Sequence, residues 1–160
     1  MFTKLEIKWG AIFAAMQLVW ITLEFAFGFH DKHISWHPTV SNFIALPSII
    51  IMVLAIRDKR AALNGKITFG TAFLCGLGVS VVVAILSLLT QLIFFRLINP
   101  NFFANFIRYA IENSKTTLEQ AQANFNLTSF MLQGAIGAII IGVFTSLVIA
   151  AVIRKDLRNI

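Results

Sequence analysis

Four long apolar stretches dominate the sequence, at residues 7–29, 40–56, 69–98 and 130–153. A helix needs about 17–25 mostly apolar residues to cross a bilayer, so each stretch is long enough to span one. Backbone polar groups in lipid must be paired within the segment, and these runs do not alternate as the strands of a barrel do. The sequence therefore predicts an all-α polytopic membrane protein with four transmembrane helices.

The composition excludes an ordinary soluble domain. Hydrophobic residues make up 58% of the 160-residue chain and charged residues 12%, which is more apolar surface than a soluble core of this length could bury. We therefore expect a single transmembrane domain over residues 1–160. Its first apolar stretch is longer than the core of a signal peptide, so we expect it to be retained. Cys75, the one cysteine, lies in the third stretch and can form no internal disulfide.

The net charge of +6 is distributed unevenly around the spans. Most basic residues lie near the N-terminus, between the second and third spans, and at the C-terminus: Lys4, Lys8, Arg57, Lys59, Arg60, Lys66, Arg154, Lys155 and Arg158. The remaining connections carry Lys32, Arg96, Arg108 and Lys115. The positive-inside rule then places both termini in the cytoplasm. Short basic clusters at helix ends are typical of contact with anionic lipid, so we expect membrane lipids rather than nucleic acid as partners.

Residues 99–128 form the one sizeable segment outside the spans. Asn99 and Pro100 have the pattern of an N-cap followed by proline at the first helical position. Thr116 and Glu119 have the spacing of a capping box for a second short helix. One face of the first helix collects apolar residues: Phe102, Phe103, Phe106, Ile107, Ala110 and Ile111. We expect an amphipathic helical pair on the outer side, with the phenylalanine face in the interface or capping the bundle.

Small residues recur at every fourth position in the third and fourth spans. In the third span they are Ala72, Gly76, Ser80 and Ala84, and in the fourth Gly134, Ala138, Gly142, Ser146 and Ala150. Such stripes let helix backbones approach closely in lipid. We expect these two helices to pack tightly, either on each other or on copies of the chain.

Polar residues within the spans share one depth, near the outer surface. Glu24, Asn42, Gln91 and Gln133 each lie close to the outer end of a different helix. Gln17, Glu24 and Asp31 also recur at intervals of seven, which predicts that they share one face of the first helix. A carboxylate in lipid costs a few kcal/mol unless it is paired or hydrated. We expect Arg96 to be the partner of Glu24.

Two interpretations of these residues remain open. In the functional one, an outward-facing polar pocket binds a head group, an ion or a proton through Glu24, Asp31, Asn42, Gln91, Arg96 and Gln133. In the structural one, the same residues form interhelical hydrogen bonds and one ion pair that fix the bundle.

The outer loop is rich in histidine. If it is helical, His30, His33 and His37 lie on one face at i, i+3 and i+7, and with Asp31 or Glu24 they could bind Zn²⁺. The spacing lacks the HExxH pattern, and interfacial histidines more often bond to water, lipid or neighbours. A third interpretation is that the histidines of this outer loop sense pH. No other cofactor is expected, and the sequence has no phosphate loop, dinucleotide fingerprint or hydrolase elbow.

Several of these segments resemble the bacterial membrane family DUF4199. They are residues 5–10, Glu24 with residues 28–31, residues 57–60, Gln91, residues 121–127 and Gln133, in order along nearly the whole chain. The resemblance implies a four-helix protein of the bacterial inner membrane. It implies no activity, because the family is defined by unknown function.

The leading hypothesis is a non-enzymatic module that binds a lipid head group, such as that of a polyprenyl-phosphate carrier, or a small solute. It would act as a flippase, as a transporter or as an accessory to an envelope enzyme. The alternative is a scaffold that assembles copies of itself or membrane partners through its small-residue faces. A metal-dependent membrane enzyme is the third hypothesis.

Overall fold

The computed structural model of the protein describes residues 3–113 and 116–154 and is helical through most of that length. Its helices are α1 (Lys4–Ala26), α2 (His37–Asn42), α3 (Ala45–Ala62), α4 (Phe69–Ile93), α5 (Phe102–Asn113), α6 (Leu118–Asn124) and α7 (Leu127–Ile153). Four segments are long and apolar enough to cross a membrane: Lys4–Ala26, Ile34–Ala62, Phe69–Ile98 and Leu127–Ile153. The predicted all-α membrane protein with four spans is confirmed. Lys115, Lys155 and Arg158 lie outside the described residues.

Helix α4 is the centre of the bundle and packs against α1, α3 and α7. Its contact with α7 is the most extensive, because small residues of both helices meet there. An added Cβ at Gly76 would overlap the side chain of Ser146, and one at Gly142 would overlap Ser80. Of the other stripe residues, Ala72 and Ala84 are buried, and Ala138 packs on the central core. The structure thus places the two stripes against each other within one chain.

Helix α1 begins earlier than its apolar stretch predicts, at Lys4. The Thr3 side chain caps it, and the backbone N–H of Thr3 donates to the Glu6 carboxylate (2.8 Å), which completes a capping box. The helix ends at Ala26, because Gly28 adopts φ +77° and turns the chain away. The hydropathy pattern could not show either boundary, since both depend on caps.

The second span is broken, where the sequence predicts one helix over 40–56 with a kink at Pro47. Helices α2 and α3 are separated at Phe43 and Ile44, and Pro47 is the third residue of α3. Pro47 has no N–H to donate to the carbonyl of Phe43, which instead accepts from Leu46 N–H (3.1 Å) in a tighter turn. The buried residues of α3 all follow Pro47: Ile51, Met52, Ala55 and Ile56.

The third span is continuous, but its last turn is π-helical, over Phe94–Ile98. The N–H of Asn99 donates to the carbonyl of Phe94 (2.8 Å) and closes this wide turn. The sequence predicted that Asn99 would be an N-cap, and this is wrong, because α5 begins only at Phe102. The side chain of Asn99 is buried beside a histidine instead.

Helices α5 and α6 form the expected pair between the third and fourth spans. The capping box of α6 is Thr117 with Gln120, not Thr116 with Glu119, and this later register buries Ala121. The phenylalanine face of α5 caps the bundle, except that Ile111 is exposed. The phenylalanine rings of α5 pack with rings from the end of the third span and from α7. We call this cluster the aromatic cap: Phe94, Phe95, Phe102, Phe103, Phe106 and Phe130.

The two ends of the bundle differ in character. We call the end that carries residues 27–42 and the aromatic cap the histidine end. The opposite end, with residues 3–9 and 57–68, is the lysine end. The polar clusters described next lie one at each of these ends.

Candidate functional site

Glu24 is the centre of a polar cluster at the histidine end. It lies in the last turns of α1 and is 4% exposed. Its Oε1 atom accepts hydrogen bonds from Trp20 Nε1 (2.6 Å) and from Ser41 Oγ (2.8 Å). Trp20 lies one turn earlier on the same helix, while the break before α3 brings α2 and Ser41 over it. One oxygen of the carboxylate is therefore fully engaged.

The other oxygen faces two imidazoles. Glu24 Oε2 lies 3.4 Å from His30 Nε2 and 3.5 Å from His37 Nε2. The three potential ligand atoms all lie within 4.8 Å of one another. His30 is fully buried, and His37 is partly buried at the first position of α2. We call Glu24, His30 and His37 the triad.

His30 is positioned by the turn that follows α1 and by the segment after α4. The turn is closed by His33 N–H, which donates to the carbonyl of Gly28 (2.8 Å). Asn105 donates to the carbonyl of His30 (3.0 Å), and the side-chain amide of Asn99 lies 3.2 Å from His30 Nδ1. The His30 ring packs edge-on against Phe102 of the aromatic cap, with the ring centres 4.9 Å apart. Burial and the Asn99 amide thus hold this imidazole in one orientation, while Asn105 holds the backbone of His30.

A cavity of about 400 Å³ adjoins the triad. It lies between α1, α2, α4 and α7, next to the break that precedes α3. Its polar lining residues are Gln17, Glu24, His37, Ser41, Ser87, Thr90, Gln91 and Gln133. The buried Gln17 Oε1 atom has no hydrogen-bond partner among the described residues. Such a cavity is unusual in an otherwise apolar bundle, where polar groups are normally paired.

The structure brings together only part of the predicted pocket. Glu24, Gln91 and Gln133 line the cavity, and Gly134 lies beside them because a larger residue would overlap Gln91. Asp31 and Asn42 are exposed and lie outside the lining. Asp31 no longer shares a face with Glu24, since α1 ends before it.

Arg96 is not the partner of Glu24. It is exposed and forms no ion pair with this carboxylate, whose nearest titratable neighbours are His30 and His37. Arg96 lies in the π-helical turn and is not among the residues that line the cavity, whereas Gln91 is. The side chains of Arg96 and Gln91 therefore lie on different faces of the third span.

The three histidines do not form the predicted helical face. Residues 27–33 are a turn, and His33 is exposed, with its ring centre 6.2 Å from that of Phe29. Glu24 takes the third place beside His30 and His37. The sequence analysis did not assign Trp20, Ser41 or Asn99 to the site. Of these, only Trp20 could have been predicted, because it lies four residues before Glu24 on one helix and so on the same face.

The lysine end holds a second polar cluster that the sequence did not predict. Lys59 Nζ pairs with Glu6 Oε1 (3.0 Å), and Lys8 Nζ pairs with Asp58 Oδ2 (2.8 Å). Trp9 Nε1 also donates to Asp58 (2.8 Å). These pairs join the start of α1 to the end of α3. We call them the lysine-end clamp.

The fold and the site define a four-helix membrane protein with a polar cavity and a carboxylate–histidine cluster at one end. The chain belongs to the DUF4199 family: residues 8–155 match the family described as "Protein of unknown function (DUF4199)". The match includes the triad and nearly all of the lysine-end clamp. Neither a curated protein nor a solved structure gave a significant match.

Proposed function

We propose that the protein is a non-enzymatic membrane module that holds a lipid head group, or a small solute of the same chemistry, in the cavity. The observation that carries this proposal is the polar lining, above all the buried Gln17 oxygen without a partner. A buried acceptor left without a donor costs about 1–3 kcal/mol. A bound hydroxyl or ammonium group would supply the missing donor.

The charge of the lining favours such a ligand over a bare phosphate. Among the described lining residues Glu24 alone carries a formal charge, which is negative, and none of them is a lysine or arginine. The cavity thus offers acceptors, at Gln17 and Glu24, rather than cations. A polyprenyl phosphate fits less well now that Arg96 lies elsewhere. Phosphatidylethanolamine and phosphatidylglycerol carry suitable donors, whereas phosphatidylcholine carries none.

We place the protein in the bacterial inner membrane with both termini in the cytoplasm. Lys8, Lys59, Lys66 and Arg154 support this orientation, because they gather at the lysine end or at the end of α7. The histidine end then faces outward, and the cavity lies at the depth of the outer leaflet. We favour this function over the scaffold alternative because the small-residue stripes pack on each other within one chain.

The test measures which lipid stays bound. The purified full chain is incubated in mild detergent with equal amounts of phosphatidylethanolamine, phosphatidylglycerol and phosphatidylcholine of identical acyl chains, and retained lipid is read by native mass spectrometry. We expect the first two to exceed phosphatidylcholine by at least about threefold, the effect of roughly one hydrogen bond. Displacement by free ethanolamine or glycerol would identify the ligand as a solute.

The decisive variant is Gln17→Leu, which removes the unpartnered oxygen at nearly constant volume. We expect it to keep or raise the stability of the fold and to lose the lipid preference. Gln122→Leu, on the exposed surface of α6, is the matched control and should behave as the wild type. Retention of phosphatidylcholine equal to that of the other lipids, or an unchanged preference in Gln17→Leu, would refute the proposal.

A further inference from the structure

We infer that Glu24, His30 and His37 form a binding site for a divalent transition-metal ion, with zinc as the best fit. The inference goes beyond the proposed ligand site, because it rests on the geometry of the triad and does not require the cavity to hold a lipid. Two imidazoles and one carboxylate are a donor set typical of zinc sites that keep an open coordination position.

The spacing of the triad matches ligands around an ion. Zinc bonds of about 2.0–2.1 Å in a tetrahedral site place neighbouring ligand atoms about 3.3–3.4 Å apart. Glu24 Oε2 lies 3.4 Å from His30 Nε2 and 3.5 Å from His37 Nε2. A direct charge-assisted hydrogen bond would be shorter, about 2.7–2.9 Å. The third separation is within 4.8 Å, so binding an ion would require the partly buried His37 to move toward His30.

Within the described part of the chain, Glu24 Oε2 and His30 Nε2 have no polar partner outside the triad, whereas His37 Nε2 lies 3.2 Å from Ser41 Oγ and would exchange that contact for the ion. Trp20 and Ser41 occupy Glu24 Oε1, so Oε2 remains available as a single-oxygen ligand. Asn99 lies 3.2 Å from His30 Nδ1. The amide nitrogen Nδ2 is the Asn99 atom at this distance. If the amide is rotated by half a turn, its oxygen takes that place, accepts from Nδ1–H and leaves Nε2 as the ligand. Metal-bound histidines and carboxylates normally have such outer partners.

The fourth coordination position would open on the cavity. Glu24 and His37 both line the cavity, whereas His30 lies behind them among the rings of the aromatic cap. An ion with two positive charges beside one carboxylate makes this wall electropositive. A phosphate oxygen of the lipid head group would then bind the ion, and the hydroxyl or ammonium group of the same head group would donate to Gln17. This last step rests on the proposed function, whereas the metal site itself does not.

The test loads zinc onto the full chain, purified without a histidine tag and stripped with a chelator. We expect about one tightly held zinc per chain, measured by mass spectrometry of the metal after dialysis, and at least about a 100-fold loss of affinity in Glu24→Gln or His37→Gln. His33→Ala is the matched control, an exposed histidine of the same turn, and it should bind zinc as the wild type does.

A second measurement covers variants that fail to fold. Cobalt in place of zinc should give the visible absorption of a four-coordinate ion in the wild type. His37→Cys should retain cobalt and add a thiolate charge-transfer band. Zinc bound below about one-tenth per chain, or bound equally by the wild type and the folded triad variants, overturns the inference.

The two proposals fail separately. Gln17→Leu leaves the triad intact and should keep its zinc while losing the lipid preference. His30→Gln should lose zinc, and its lipid preference in metal-free protein should equal that of metal-free wild type. A lipid preference without zinc, or zinc without a lipid preference, therefore identifies which of the two sites exists.

Discussion

The two carboxylate oxygens of Glu24 have different neighbours, and this difference organises the site at the residue scale. Oε1 accepts from neutral donors, Trp20 and Ser41, while Oε2 faces His30 and His37. Donors to a carboxylate favour its charged form, so the surroundings offset the cost of placing this charge among apolar helices. These neighbours hold the Glu24 carboxylate in one position.

Ser41→Ala tests how firmly Glu24 is held. Removing a hydrogen bond to a charged group costs about 1.5–3 kcal/mol, so we expect the free energy of unfolding to fall by that amount. The measurement is a detergent-denaturation curve followed by circular dichroism.

Thr39→Ala, at an exposed position of the same short helix, serves as the control and should change stability little. In a Glu24→Gln background the cost of Ser41→Ala should shrink, because the charge is gone. An equal cost in both backgrounds would mean that Ser41 acts through packing alone.

The sequence predicted part of this site, and the reason is geometric. Glu24, Gln91 and Gln133 could be grouped because depth in a membrane follows directly from position along a helix. The same argument misplaced Arg96 and Asn42, since depth does not determine which way a side chain faces. His30 and His37 meet through a turn and a break between helices, which no periodicity describes.

At the scale of elements, the contact between α4 and α7 depends on glycines and serines that interlock. Ser80 fits against Gly142, and Ser146 fits against Gly76. In lipid this close packing replaces the hydrophobic effect as the force that joins helices. It also fixes Gln91 of α4 beside Gly134 of α7 at the cavity wall.

Gly142→Ala should therefore destabilise the bundle. The added methyl group overlaps Ser80, and overpacking of this kind costs about 1–3 kcal/mol. Gly137→Ala, in the same helix, is the matched control: a Cβ there meets nothing within 4 Å. We expect the control to leave stability unchanged or to raise it by up to about 1 kcal/mol. Equal effects of the two substitutions in unfolding experiments would contradict the interlocked contact.

Hydropathy was sufficient to predict the elements themselves, but not their ends. Burial in lipid requires a long apolar helix, so all four spans were visible in the sequence. Pro47 predicts a kink within one helix, yet the chain breaks before α3, because the carbonyl that loses its donor belongs to Phe43, four residues earlier. The capping box of α6 was ambiguous because Thr116 and Thr117 both fit the pattern.

At the scale of the whole molecule, α1 joins two polar clusters. Glu6 belongs to the lysine-end clamp and Glu24 to the triad, about 27 Å apart along the helix at 1.5 Å per residue. The clamp ties α1 to α3 at one end, and Ser41 and His37 contact α1 at the other. Helix α1 is thereby fixed both in rotation and in depth.

The Glu6–Lys59 pair should contribute to stability without affecting the triad. Glu6→Gln keeps the capping box and removes only the charge, so it isolates the ion pair. We expect a loss of about 2 kcal/mol, between the values typical of exposed and of buried pairs. Zinc and lipid binding should be unchanged, because sites this far apart act independently.

A double-mutant cycle with Lys59→Met measures the coupling energy directly, and Lys66→Met, an exposed lysine near the same end, is the control. A coupling energy near zero would show that the two charges are held apart by solvent. A change in zinc affinity would show that α1 transmits strain from one end to the other.

The π-helical turn at Phe94–Ile98 carries a consequence for the ancestry of the chain. Such a turn is what an α-helix becomes when one residue is inserted into it. Deleting a single codon there would rewind the helix and rotate everything after it by about 100°. Asn99 and Phe102 would then leave His30, so a relative that lacks this residue should lack a buried histidine as well.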